Sequence, residues 1–101
     1  MHALKKLPAV EADVAEAAEW YETRRPGLGQ RFVSTIQSAD KLLLANPHLY
    51  SIRFANVRRL NLANFPYSIF FFIEGDRIVV LAVLHKRRDT RAILERRRQF
   101  V

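Results

Sequence analysis

The stretch Phe65–His85, FPYSIFFFIEGDRIVVLAVLH, decides the fold. Tyr67–Ile73 is β-branched and aromatic, and Arg77–Leu84 is almost wholly apolar. Glu74-Gly75-Asp76 between them is a turn signal, so the two runs predict an antiparallel hairpin. Near-continuous apolar strands belong at the centre of a sheet, where both faces are covered over much of their length. Upstream, Val57–Phe65 alternates: Arg58, Leu60 and Leu62 point one way, Arg59, Asn61 and Ala63 the other. It predicts a third strand. Downstream the chain turns basic, and Thr90–Gln99 predicts a short final helix with Asp89 or Thr90 as its N-cap.

The first half has the other periodicity. Ala3–Leu7 predicts a short edge strand that stops at Pro8. From Ala9 to Thr23, apolar residues recur every three or four positions at Val10, Val14, Ala17, Ala18 and Tyr21. Acidic residues occupy the other faces, so this is an amphipathic helix. Pro26-Gly27-Leu28-Gly29 ends it, and a second stripe begins with Leu28, Phe32, Ile36, Ala39 and Leu43. Asn46-Pro47 closes the second helix, because a residue before proline leaves the α region. The predicted order is β–α–α–β–β–β, an α+β fold in one domain over residues 1–101. A helical hairpin would pack on one face of a small, mainly antiparallel sheet. The other face is expected to be partly apolar and open to a partner.

Charge divides the chain as sharply as periodicity does. Residues 1–50 hold six Lys/Arg and six Asp/Glu, whereas residues 51–101 hold eleven against four. The whole formal charge of +7 therefore lies in the second half, an asymmetry that points to an acidic or polyanionic partner. The chain has no cysteine, which excludes disulfides and thiolate metal sites. No apolar run approaches the roughly 18 residues that span a bilayer. No signal peptide is readable, and the expectation is a cytoplasmic protein without a membrane partner. His2 and His48 have no ligand spacing to other residues, so neither a metal nor a cofactor is expected.

Several short pieces together resemble the RelE/ParE superfamily of bacterial type II toxins. They are Trp20-Tyr21-Glu22, Pro26-Gly27-Leu28-Gly29 with Arg31-Phe32, Asn46-Pro47, Phe65-Pro66-Tyr67, and Ile78–Val83 followed by His85-Lys86-Arg87-Arg88-Asp89. The pattern is most similar to the ParE-like, plasmid-stabilisation branch. The resemblance implies a toxin held inactive by a cognate antitoxin, whose acidic and apolar C-terminal segment wraps around it. It also implies one of two targets: ParE-type members poison DNA gyrase, and RelE-type members cut messenger RNA on the ribosome. A degenerate member that only binds its antitoxin is the third alternative.

The candidate residues follow from these alternatives. A metal-independent ribonuclease needs a proton acceptor and cations around the reacting phosphate. The candidates are His85 as base with Arg59 and Arg87 as cations, and the resemblance places Arg87 where an active-site arginine is expected. Contact with a nucleic acid or another target is assigned to Arg58, Arg59, Lys86, Arg87, Arg88 and Arg91. Antitoxin contact is assigned to Phe70, Phe72, Arg96 and Arg97. His85 has a second reading, as a residue that caps the loop after its strand, and Trp20 reads as packing at the helix–sheet junction. RelE-type nucleases carry a tyrosine about six residues beyond the arginine. Here Ile93 stands near that position and no tyrosine follows Tyr67, which tips the expectation towards gyrase.

Overall fold

A computed structural model describes residues 2–101. The elements in chain order are β1 (Ala3–Lys6), α1 (Pro8–Arg24), α2 (Leu28–Ala45), a 3-10 turn (Pro47–Leu49), β2 (Ile52–Phe54), β3 (Val57–Asn61), β4 (Tyr67–Glu74), β5 (Arg77–His85) and α3 (Thr90–Arg98). The five strands form one sheet in the order β1-β5-β4-β3-β2. The β1–β5 pair is parallel and the other three pairs are antiparallel. The β4–β5 hairpin turns through Gly75 and Asp76, with Gly75 at φ +60° and Glu74 opposite Arg77.

The two helices form the expected hairpin, and their junction shows why its sequence is Pro-Gly-Leu-Gly. Gly27 adopts a left-handed φ of 88°, which costs glycine little. The Glu22 carboxylate accepts the backbone N–H groups of Gly27 and Gly29 at 2.9 and 3.0 Å. At Gly29 the helices come so close that a Cβ would lie 2.4 Å from the Ala18 carbonyl oxygen. Phe32, Ile36, Ala39 and Leu43 of the α2 stripe are buried against the sheet, as are Val10 and Ala17 of α1. Tyr21 stacks on Phe32, whose ring also meets Phe65 and Tyr67 edge-on.

Register assigns the sheet's two faces. Leu60, Ile69 and Val83 are paired neighbours, as are Tyr67 and His85, and this face meets α1 and α2. Arg59, Phe70 and Ala82 lie on the other face. Phe70 pairs with Ala82 and Phe71 with Val80, so Leu81 is an extra residue in β5, a β-bulge.

The structure makes two corrections to the expected fold. First, a short edge strand, β2, precedes β3, and β3 ends at Asn61 rather than Phe65. Second, the second face of the sheet is closed. Helix α3 crosses it, burying Ile93 and Leu94, while Arg91 at one end lies over the Phe54 ring of β2 at 5.0 Å. At the other end Arg97 reaches β5 and α1. Burying an aliphatic side chain stabilises by about 1.5–3 kcal/mol, and strands apolar on both sides supply that incentive on the face the hairpin leaves bare. Asp89 occupies the N-cap position of α3, but its side chain makes no capping hydrogen bond.

Candidate functional site

The candidate basic residues are distributed over β3, the turn after β5 and α3 rather than gathered in one place. Arg58 and Arg59, adjacent on β3, emerge on opposite faces of the sheet. Arg58 turns to the loop before β2, where Nη1 donates to the carbonyls of Tyr50 at 2.7 Å and His48 at 3.3 Å. Arg59 lies on the face that α3 crosses. Lys86, Arg87 and Arg88 form the exposed turn after β5. That turn is tied down by backbone bonds from Lys86 N–H to Pro66 and from Arg88 N–H to His85.

His85 sits where the turn begins. Its Nδ1 accepts the Arg87 backbone N–H at 3.0 Å, so the proton of the neutral ring is on Nε2. The ring also meets Tyr67 edge-on. This geometry is that of a histidine capping a loop. His85 and Arg59 project from opposite faces of the sheet, so these two members of the ribonuclease set do not converge on one phosphate.

The remaining assignments divide by burial. Phe70 and Phe72 lie beneath the surface of the folded chain, at 4% and 6% exposure. They therefore present no side chain to a partner while α3 is in place. Arg97 is engaged internally, gripping Asp13 with both Nη atoms. Arg91 pairs with Glu95 at 2.9 Å, and Arg96 is exposed on the same helix.

One concave feature stands apart, a groove of about 870 Å³ between α1 and the ends of β4 and β5. Glu16, Glu19 and Trp20 form its α1 wall, Tyr21 and Tyr67 its floor, and Arg88 the opposite rim. Burial pushes both phenols above the ordinary tyrosine range. Each has a further electrostatic contribution: Tyr67 raises Tyr21, while Glu16 raises and Arg88 lowers Tyr67. The periodicity of α1 marks only its apolar stripe, so a groove beside its acidic residues was not legible from spacing. The usable signal was Trp20, a large aromatic beside the apolar stripe and half-exposed at 51%.

Comparison with known proteins supplies the class and then the family. The fold matches a solved structure described as the chromosomal ParDE toxin–antitoxin system from P. aeruginosa. The TM-score is 0.76 at 24% identity, over 84% of this chain and 96% of that one. A family described as the ParE toxin of the type II toxin–antitoxin system parDE matches residues 4–90. The chain belongs to the ParE toxin family. No curated protein matches it. The family match ends at Thr90, the first residue of α3.

Proposed function

We propose that this protein is the toxin of a two-component toxin–antitoxin module, that it acts by binding DNA gyrase, and that a cognate antitoxin neutralises it. The family match over residues 4–90 carries the reading. The distribution of cations supports a binder over a nuclease. Arg59 and His85 lie on opposite faces of the sheet, the His85 Nδ1 lone pair is spent on the turn, and α3 carries no tyrosine. Among the candidate cations, Lys86, Arg87 and Arg88 on the turn and Arg96 on α3 are exposed and pair with no carboxylate among the described residues, and target contact is assigned to them. These same groups suit the acidic residues of an antitoxin.

The test pairs two assays. The purified protein is added to a gyrase supercoiling reaction, and separately to ribosomes translating a defined message. Inhibited supercoiling with intact message is the expected outcome. Cut message with unaffected gyrase would establish the RelE-like reading instead. Silence in both assays, with binding to the product of the adjacent reading frame, would identify a member that retains only antitoxin pairing. No helix among the described residues is long and apolar enough to cross a membrane.

A further inference from the structure

The α1 groove runs against the charge of the rest of the molecule. On a chain of net +7, its α1 wall presents Glu16 and Glu19, and neither pairs with a cation among the described residues. Trp20, Tyr21 and Tyr67 line the space next to those carboxylates. Carboxylates beside aromatic faces are a receptor for a cationic side chain: the acids supply Coulomb attraction, and the rings take the methylenes and the charge of the guanidinium or ammonium. Arg24 already uses the indole in this way, its guanidinium carbon 4.3 Å from the Trp20 ring centre.

The backbone beside the groove restricts how an occupant can bind. Strand β1 pairs with β5 only as far as Val80, so the β5 edge beyond it would ordinarily be open to an added strand. Two of its backbone groups there are already taken: Asp13 accepts the Val83 N–H at 2.9 Å, and Arg97 donates to the Leu81 carbonyl at 3.0 Å. Extension of the sheet is thereby blocked at this edge. An occupant must bind through side chains, as a helix laid into the groove does.

We infer that the groove receives a helical segment of the antitoxin carrying one Lys or Arg, which sits between Glu16 and Glu19 and the aromatic floor, flanked by apolar residues. The inference rests on the toxin–antitoxin reading and adds a requirement to it. The partner's acidic residues meet the basic turn and α3, while this single basic residue is read by the acidic wall.

Trp20 is the only tryptophan in the chain, so its fluorescence reports on the groove directly. The purified product of the adjacent reading frame is titrated into the wild-type protein, the double variant Glu16→Gln/Glu19→Gln, and Trp20→Phe as the spectral control. The expected results are a shift in Trp20 emission on binding and an affinity about five- to tenfold weaker for the double variant at low salt, with the difference shrinking as salt rises. Replacing one particular Lys or Arg of the partner by Gln should give the same loss and no further loss in the double variant. Tight binding with unchanged Trp20 emission and equal affinity for the double variant overturns the groove assignment and leaves the toxin–antitoxin reading standing. Failure of the wild-type protein itself to bind that product counts against both. A response of Trp20 to gyrase but not to the neighbour's product assigns the groove to the target and overturns the inference.

Discussion

Asp13 and Arg97, 84 positions apart, form a two-pronged ion pair that joins the first helix to the last across the edge of the sheet. Arg97 Nη1 donates to Asp13 Oδ2 at 2.6 Å and Nη2 to Oδ1 at 3.0 Å, with both side chains largely covered, at 19% and 11% exposure. The same two residues also hold β5, through the Val83 N–H and the Leu81 carbonyl. Bidentate arginine–carboxylate pairing fixes orientation as well as charge. It anchors α3 over a sheet face that would otherwise be exposed.

Removal of either partner leaves a largely covered charge and an unmet backbone group. Asp13→Ala is therefore expected to destabilise the protein by about 2–4 kcal/mol, just below the range for fully buried pairs. Chemical denaturation measures the loss, and hydrogen exchange at the Val83 amide should accelerate with it. Arg97→Lys keeps the charge but not the fork, and should lose part of the same amount. Full retention of stability in Asp13→Ala would remove the pair from its anchoring role.

The long periodic elements were legible because each has many residues voting for one period. Phe32, Ile36, Ala39 and Leu43 mark α2, and the apolar run Ile78–Leu84 marks β5. Ile52-Arg53-Phe54 was not legible, since three residues cannot establish an alternation and Ile52 is exposed. The covered second face was missed for a related reason. The buried side of α3 is only Ile93 and Leu94 among arginines, and charge alone does not separate Arg97, which turns inward, from Arg96, which stays in solvent. The basic half was readable as composition, whereas its division between Arg58 and Arg59 depended on register.

Gly29 and Gly27 make a matched pair of tests. At Gly29 an added methyl group meets the Ala18 carbonyl at 2.4 Å, so the helices must separate. Gly29→Ala should cost about 1–3 kcal/mol, the usual penalty of overpacking. At Gly27 nothing lies within 4 Å, and only the left-handed backbone opposes a side chain. Gly27→Ala should cost about 1–2 kcal/mol while leaving the α1–α2 distance unchanged. A crystal structure of each variant separates displacement from backbone strain.

The two groove tyrosines are expected to make stability fall at alkaline pH. Burial raises both phenols above their value in the unfolded chain, so the unfolded state loses these protons first as the pH climbs. The unfolded state then binds fewer protons than the native state, and stability falls with increasing pH. The contribution is complete below the ordinary tyrosine value of about 10 and is lost as the pH rises through the folded values. Melting temperatures measured from pH 8 to 11 should decline in the wild type, and less steeply in Tyr21→Phe/Tyr67→Phe. A parallel decline in the two proteins would assign the alkaline loss to other groups.

Arg58 and Arg87 are expected to separate structure from action. Arg58 spends its guanidinium on the carbonyls of His48 and Tyr50, so Arg58→Ala should lose about 1–3 kcal/mol of stability. Any fall in its toxicity should follow the fraction unfolded. Arg87 is exposed and only its backbone N–H is used, in the bond to His85. Arg87→Ala should therefore melt within about 0.5 kcal/mol of the wild type, as surface changes usually do. It should nevertheless weaken growth arrest when the protein is induced alone, if the turn after β5 makes the target contact proposed above. Undiminished arrest from a well-folded Arg87→Ala protein would take Arg87 off that surface and leave target contact to its neighbours Lys86 and Arg88.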